Sequence, residues 1–233
     1  MCRTVLYKIP TGCEVIDKIL EGGIPLKSIS LVYGEAETGK TTLAIQCAVN
    51  CARQGYKTLF VDCDGAFSSR RLSQIAFEDF KDIAELIVLM KPNNFSEQII
   101  VIDRLADYIT KNFGLVVIDT ITDLYRAEVA EHVEKTFQLN RELNRQMACL
   151  AQIAKIQKIA VLIISQVRSV FNETYTNVEP VATRVLKFWA DTVIAMKPTE
   201  KTQVIKVTVE KGSKKAPPLT CHLKIEETGM LSI

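Results

Sequence analysis

The chain has 233 residues, 48% of them hydrophobic and 24% charged, so it can bury a sizeable core as one α/β domain and is not a disordered chain. The longest aliphatic run near a strand, residues 159–164, is far shorter than the roughly 20 apolar residues that cross a bilayer, and we expect a soluble, cytoplasmic protein. The net charge of +2 does not by itself indicate nucleic-acid binding, although residues 197–215 have a net charge of +4.

The N-terminal half alternates apolar strand-like runs with helical patterns, which is typical of a parallel sheet with crossover helices. Thr11 and Glu14 form a capping-box pattern, which predicts a helix that Gly22 and Gly23 end. Strands are predicted over residues 28–33, 57–62, 86–90 and 115–118. Helices are predicted from the glycine-bounded loop after residue 33 to about residue 53, and over about 96–112.

The C-terminal half begins with a predicted helix over 136–158, whose apolar stripe indicates core packing. A strand over 159–165 and a polar loop over 168–182 follow it, and residues 192–196, 203–210 and 219–225 are predicted as a final antiparallel set. The seven cysteines include no Cys-x-x-Cys pair, so we expect free thiols, with Cys47 and Cys51 as small buried side chains rather than metal ligands.

Residues 34–41 match the phosphate-loop pattern G-x-x-x-x-G-K-[ST] at every fixed position, between a predicted strand and a predicted helix. The glycines let the backbone turn tightly, so that its N–H groups can point at the β-phosphate. Lys40 neutralises the β- and γ-phosphates, and the Thr41 hydroxyl ligates Mg²⁺. The sequence thus predicts binding of ATP with Mg²⁺ by Gly34, Glu35, Ala36, Glu37, Thr38, Gly39, Lys40, Thr41 and Thr42.

Polar side chains end three of the predicted strands. Asp119 follows a wholly apolar strand, where a magnesium-coordinating acid is expected, although alone it could cap the next segment. Asp62 and Asp64 end another strand, where an acid could orient the water that attacks the γ-phosphate and one of the two could simply cap a helix. Gln166 could sense the γ-phosphate or make an ordinary strand-end hydrogen bond.

Besides the phosphate loop, several further stretches match the sequence pattern of one known protein family. They are Thr-Gly-Cys at 11–13, Val-Asp-Cys-Asp-Gly at 61–65, the run at 117–126, Ile-Ser-Gln-Val at 164–167 and Glu-Lys-Gly at 210–212. With them the chain resembles the RecA superfamily of strand-exchange ATPases and, within it, the archaeal RadB family of recombinase paralogues. The resemblance implies one RecA-like P-loop ATPase domain over 1–233, an α/β fold with a mostly parallel central sheet flanked by helices and an antiparallel C-terminal extension. Because only about 33 residues precede the phosphate loop, we expect no separate N-terminal helical DNA-binding domain.

The resemblance also implies roles by position. Asp64 stands where the family has its catalytic Glu, and Arg71 where an arginine stacks on adenine. Gln166 matches the amide that couples nucleotide to a second DNA-binding loop, roughly residues 167–183. The segment after Arg126, to about Thr136, would be the first DNA-binding loop. Lys211 resembles a lysine that reaches the ATP of a neighbouring subunit in bacterial filaments.

Non-specific contact with single-stranded or branched DNA is expected at the second loop and just beyond it, because cations pair with phosphates and rings stack on bases. The acids Glu173 and Glu179 dilute this signal, so a plain solvated loop remains an alternative, as does a merely soluble hairpin for the C-terminal lysines. The candidate residues are Arg168, Phe171, Tyr175, Arg184 and Lys187.

We expect an accessory or mediator protein of DNA repair and homologous recombination, which contacts DNA and the main recombinase and hydrolyses ATP weakly. The Asp64 carboxylate is about 1.5 Å shorter in reach than a Glu, and no Phe starts the Phe-x-x-Ala tether that links recombinase subunits, although self-association remains possible. Two alternatives stay open: a filament-forming, DNA-dependent strand-exchange ATPase, and a KaiC-like signalling ATPase that acts on proteins without DNA.

Overall fold

The computed structural model describes residues 6–172, 175–180, 182–212 and 218–233, with the backbone alone at 168–172, 175–180 and 183. The strands in this part of the chain are β1 (Lys8–Ile9), β2 (Ile24–Pro25), β3 (Ser28–Gly34), β4 (Lys57–Asp62), β5 (Ile87–Met90), β6 (Phe113–Asp119), β7 (Ala160–Asn172), β8 (Tyr175–Pro180), β9 (Thr192–Pro198), β10 (Val204–Lys211), β11 (Leu219–Glu226) and β12 (Gly229–Ser232).

The helices lie on both faces of the sheet. They are α1 (Glu14–Ile19), α2 (Lys40–Arg53), α3 (Ser69–Ala76), α4 (Phe80–Ala84), α5 (Phe95–Asp103), α6 (Leu105–Tyr108), α7 (Asp123–Glu131), α8 (Thr136–Gln157) and α9 (Thr183–Trp189). Short 3₁₀ turns occupy Phe77–Asp79 and Val133–Lys135. Within the described residues, we find no helix with the length and apolar character that a membrane span requires.

The strand order in the main sheet is β12-β11-β10-β9-β3-β7-β6-β4-β5. The six strands from β9 to β5 are parallel, whereas β10, β11 and β12 extend the sheet antiparallel. This confirms the predicted fold. One detail differs, because β9 was expected in the antiparallel set and instead lies parallel to β3 on one side and antiparallel to β10 on the other.

The two faces of the sheet bury separate cores, as the period-2 alternation of a strand requires. Along β3, Leu31 packs with the α5 and α8 side of the sheet, and the next residue, Val32, packs with the α2 side. The predicted stripe of α8 is buried at Leu143, Met147 and Leu150. Because both faces are covered, the ends of the parallel strands are left as the places where ligands can reach the sheet.

The helix α1 begins differently from the predicted capping box. Its N-cap is Cys13, and no side chain of the described residues caps the helix there. Instead Asp17 reaches back out of the helix: its Oδ1 accepts from the Thr11 N–H and hydroxyl, each at 2.8 Å, and its Oδ2 accepts from the Gly12 N–H at 3.1 Å. The left-handed Gly12 (φ +78°) turns the chain, so Thr11 lies ahead of the helix and Glu14 pairs with Lys18 on its surface.

Three segments differ from the prediction: two expected loops form regular secondary structure, and one expected helix is divided into two. The expected first DNA-binding loop is largely helical, since α7 continues to Glu131 and a 3₁₀ turn leads into α8. The expected polar loop at 168–182 is mainly a hairpin, because β7 continues to Asn172 and β8 returns antiparallel along it. The predicted helix over 96–112 is divided at Arg104 into α5 and α6.

Candidate functional site

The phosphate loop joins β3 to α2, and its two glycines have different roles. Gly39 lies in the left-handed region (φ +81°), which a side chain would strain. Gly34 is needed for a close approach, because a Cβ there would lie 2.2 Å from the carbonyl oxygen of Met196 on the neighbouring strand β9. The turn between them is held by the Thr38 hydroxyl, which donates to the Glu35 carbonyl at 2.8 Å.

Lys40 begins α2 and is mostly buried, with 8% of its surface exposed. Its amine donates to the Glu35 carbonyl oxygen at 2.5 Å, so the loop itself holds the side chain in place. Burial lowers the pKa of the Lys40 amine, and the carboxylates of Asp119, Asp64 and Glu35 oppose that shift. The amine is therefore a buried cation surrounded by acids, which suits an anionic phosphate ligand.

Asp119 ends β6 directly beside the phosphate loop, and its carboxyl group is completely buried. Among the residues that the structure describes, neither carboxylate oxygen has a hydrogen-bond partner of normal geometry. Burial raises the pKa of Asp119 to about 7, and Asp64 and Asp62 add to the rise, whereas the Thr41 hydroxyl and Lys40 oppose it. Two buried carboxylate oxygens that the described residues leave without a well-formed hydrogen bond, next to the Thr41 hydroxyl, are a donor set that fits a divalent cation.

One cleft, with a volume of about 370 Å³, brings together residues that are far apart in the sequence. Its lining includes the phosphate-loop residues Ala36, Glu37, Lys40 and Thr41, together with Asp64, Ala66, Thr120, Gln166 and Val167. The carboxyl ends of β3, β4 and β6 meet at this edge of the sheet beside the middle of β7, where Gln166 pairs with Gly34, and this edge is where ligands bind in folds of this type. The structure thus places Asp64 and Gln166 across from the loop that the sequence assigned to phosphate.

The two acids that follow β4 have separate environments. The buried Asp62 faces Lys91, whose amine lies 3.2 Å from Oδ2, and its Oδ1 accepts from the Phe67 N–H. Asp64 is partly exposed and lines the cleft, with Oδ1 accepting from the Ala66 N–H at 3.1 Å. Partial burial, with the nearby carboxylates of Asp62 and Asp123, raises the pKa of Asp64. Of the two acids, Asp64 is the one placed to meet a ligand in the cleft.

Gln166 connects the cleft to helix α7. Its amide nitrogen donates to Asp123 Oδ1 at 3.3 Å, and its amide oxygen accepts from the Arg126 guanidinium at 2.5 Å. One residue earlier, the Ser165 and Thr122 hydroxyls lie 3.3 Å apart. The amide is therefore more than an ordinary strand-end group, because a ligand that attracts Gln166 would draw it away from two residues of α7.

Arg71 lies beside a second, adjacent cleft of about 620 Å³, which Thr42 of the phosphate-loop helix also lines. Its guanidinium donates to the carbonyl oxygens of Glu226 at 2.6 Å, at the end of β11, and of Glu227 at 2.9 Å, in the turn that follows. Burial lowers the pKa of Arg71. These bonds hold the guanidinium plane against the C-terminal strands, near the N-terminus of α2.

The proposed DNA contacts are only partly within the described residues. Arg184 is exposed on α9, and nothing in the described structure pairs with its side chain. Lys187 points inward to the sheet, where its amine lies 2.8 Å from Glu210 and 3.3 Å from the Tyr33 hydroxyl, so its charge is neutralised within the chain. The amine of Lys211 donates to the Ala190 carbonyl at 2.5 Å. The side chains of Arg168, Phe171 and Tyr175 lie outside the described residues.

One polar residue that supports the site was not predicted from the sequence. Gln46, in the middle of α2, donates to the Met230 carbonyl at 3.2 Å and accepts from the Met230 N–H at 2.8 Å. This pair of bonds ties the phosphate-loop helix to β12 across the buried core. A polar residue within an apolar helix stripe is the signal that could have found it.

Comparison with known proteins identifies the family. A family model described as Rad51 matches residues 2–232. The chain belongs to the Rad51 family. Its relatives include the DNA repair and recombination protein RadB of Methanosphaera stadtmanae, 31% identical over 96% of this chain and 95% of the relative. RadB of Methanobrevibacter smithii is also 31% identical, over 97% of this chain and 96% of the relative.

A solved structure leads to the same group. The crystal structure of the RadB recombinase matches with a TM-score of 0.84 and 31% identity, and the match covers 97% of this chain and 99% of that one. The predicted resemblance to the RadB family and the predicted RecA-like fold are both confirmed.

Proposed function

We propose that this chain is an ATP-binding accessory protein of DNA repair and homologous recombination, which contacts DNA and turns ATP over slowly. Membership of the Rad51 family supports the broad class, recombination and repair. The observation on which the nucleotide part rests is the single cleft that joins Lys40 and Thr41 to Asp64 and Gln166.

In this proposal the phosphate loop binds ATP, and Thr41 and Asp119 hold Mg²⁺. When bound, Mg²⁺ would neutralise charge that develops on the β- and γ-phosphate oxygens. The unpartnered oxygens of Asp119 support this assignment, because a buried carboxylate is costly without a cation or hydrogen bonds. Arg71, beside the neighbouring cleft with Thr42, is placed to contact the base.

Asp64 would orient the attacking water, and its short side chain explains why turnover should be slow. Misplacement of a catalytic group by about 1 Å can cost ~10²-fold in rate. The raised pKa of Asp64 favours accepting a proton from water, since a stronger base is a better general base. Lys40 and the loop N–H groups would hold the phosphates while Asp64 acts.

The DNA part of the proposal has a physical link to the nucleotide. A γ-phosphate in the cleft would compete for the Gln166 amide, which now binds Asp123 and Arg126. Release of Arg126 would then add a mobile cation to α7, immediately before the segment that the family resemblance assigned to DNA. We therefore expect ATP to change DNA affinity, with Arg126 as part of the response.

An accessory role is favoured over filament-forming strand exchange for two reasons. None of the nine Phe residues starts a Phe-x-x-Ala tether. Lys211, the candidate for reaching a neighbour's ATP, is bonded within its own chain to Ala190. The main recombinase or another recombination protein is the expected protein partner.

The decisive experiment measures ATP turnover with and without single-stranded DNA, beside a salt titration of DNA binding. With ~3–5 phosphates engaged, the log–log salt slope should be roughly −2 to −3.5. Slow turnover with measurable DNA affinity supports the accessory role. Strong stimulation by DNA, with filament formation, would favour the strand-exchange ATPase, and a slope near zero would favour the signalling ATPase that acts on proteins.

A further inference from the structure

The edge of the sheet opposite the nucleotide cleft has a row of lysines. Lys27 directly precedes β3, Lys158 and Lys111 lie two residues ahead of β7 and β6, and Lys57 is the first residue of β4. Because the strand order is β3-β7-β6-β4, one lysine stands at the start of each of these adjacent strands. At about 4.8 Å between neighbouring strands, the row spans on the order of 14 Å.

Three of the four lysines in this row are available to an external anion. Lys27, Lys111 and Lys158 are exposed, and in the described part of the chain no carboxylate pairs with any of them. The nearest acids by strand order lie outside the row: Asp191 precedes β9, and Glu85 stands two residues ahead of β5. Asp191 is already engaged, because its Oδ2 accepts from the Ile29 N–H at 3.0 Å.

The local structure does not need these three cations. A lysine can stabilise a helix C-terminus by about 0.3–1 kcal/mol, and Lys158 does follow α8. The carbonyl of Ala154 in the last turn of α8, however, already accepts from the Ile159 N–H at 3.2 Å. Lys27 follows a strand, and Lys111 follows only the four-residue α6, so the row as a whole has no helix-end explanation.

Aromatic and apolar side chains lie beside the lysines. A cleft of about 760 Å³ is lined by Lys27, Lys111 and Lys158 and by Leu6, Tyr7 and Tyr56, among others. Tyr7 is 78% exposed, so most of its ring is open to a stacking partner. Cations in a line with an exposed ring next to them are the arrangement that tracks a phosphate backbone while bases stack.

We propose that this edge is a second site for single-stranded nucleic acid, separate from the 167–183 segment. Lys27, Lys158 and Lys111 bind successive phosphates, and a base stacks on Tyr7. Stacking tolerates every base, so the site is not sequence-specific. The proposed function places another strand at the 167–183 segment, which begins with Val167 in the nucleotide cleft at the opposite end of the parallel strands. On that proposed function the further inference rests in one respect, that one chain can then hold two strands at once.

The test uses the full chain and mixed donor- and acceptor-labelled oligo-dT, with energy transfer reporting two strands on one protein. The variant replaces Lys27, Lys111 and Lys158 with Gln, and a matched control replaces Lys18, Arg70 and Lys81, which are exposed elsewhere. We expect the second strand to bind the parent with a log–log salt slope of about −2, or ~0.7 for each of three phosphates, and the first variant to lose both the transfer signal and this salt-dependent second binding step. The control should behave like the parent, and ATP affinity should be unchanged in both.

Energy transfer and a salt slope that match the parent's in the first variant would overturn the proposal. Tyr7→Ala should weaken the second strand's binding without changing the slope, whereas Tyr7→Phe should retain it, since only the ring is needed. Poly-glutamate serves as the competitor. If it displaces the lysine-dependent strand at the same charge concentration as unlabelled oligo-dT, the edge binds acidic protein segments, and the nucleic-acid assignment is wrong. Dependence on these lysines also separates this site from the 167–183 segment, which the variants leave intact.

Discussion

Lys40 tests the nucleotide assignment with one substitution. Its amine contacts the loop carbonyl of Glu35, so Lys40→Ala removes charge while leaving the helix core in place. Loss of a charged hydrogen bond of about 1.5–3 kcal/mol predicts roughly 10- to 100-fold weaker ATP binding. A fluorescent-nucleotide titration measures it, with Lys18→Ala as the control. Unchanged affinity would contradict the phosphate role.

Asp64 is well placed for catalysis, but its side chain is shorter than that of a Glu. It lines the cleft opposite the phosphate loop, so Asp64→Glu should bring the carboxylate to the attacking water and raise turnover ~10-fold or more. Asp64→Asn should lower turnover, and neither change should alter nucleotide affinity much. Phosphate release measured over time distinguishes them. A Glu variant no faster than the parent would remove Asp64 from the chemistry.

Asp119 makes the ligand-free protein sensitive to pH. Its pKa is raised from 3.8 to about 7, so the folded state holds a proton that the unfolded state has lost between these values. Stability should therefore fall as pH rises from about 4 to 7 and stay reduced above that range. Asp119→Asn should stabilise the metal-free protein at pH 8 by up to about 4 kcal/mol, and much less at pH 4. Urea unfolding at both pH values tests this, and equal effects at both would contradict it.

Among the elements, the contact of β3 with β9 depends on one glycine. In Gly34→Ala the new methyl would lie 2.2 Å from the Met196 carbonyl, so the strands must separate where the phosphate loop begins. Gly55→Ala is the matched control, because a Cβ there has no neighbour within 4 Å among the described residues and adds only left-handed strain of about 1–2 kcal/mol. We expect a larger fall in Tm and a loss of ATP binding for Gly34→Ala alone. Equal falls would show that β9 moves freely.

Most of the element pattern could be predicted because buried parallel strands are apolar throughout. The strand at Lys57–Asp62 has the predicted bounds. Helix α8 begins at the predicted residue and ends one residue before its own predicted end. The hairpin of β7 and β8 was missed, since polar residues and Pro180 suggested a loop while long-range pairing decided the structure. The start of α1 was missed for a similar reason: Asp17 competes for the groups that a capping box would use.

At the scale of the whole molecule, the sequence predicted which strand ends would meet, but not which side chains would remain available. Parallel strands place Asp64, Asp119 and Gln166 at one edge, so their convergence near the phosphate loop was predictable. That Lys187 is paired with Glu210, and that Gln166 binds Arg126, depends on side-chain packing between elements distant in sequence. Spacing rules do not reach contacts of this kind.

The bond between Gln46 and Met230 has a practical consequence for work with this protein. The Gln46 side-chain amide hydrogen-bonds both the N–H and the carbonyl of Met230 in β12. The last strand is thus bonded to the middle of α2, the helix that begins at the phosphate loop. A stop codon placed before Met230 would leave the buried Gln46 amide without these hydrogen bonds. It should therefore impair nucleotide binding, although Met230 itself is not in the ATP site. A C-terminal affinity tag or reporter should therefore be added after Ile233, without removing residues of β12. Proteolysis that cuts into β12 should inactivate the protein even though its ATP-site residues are all intact.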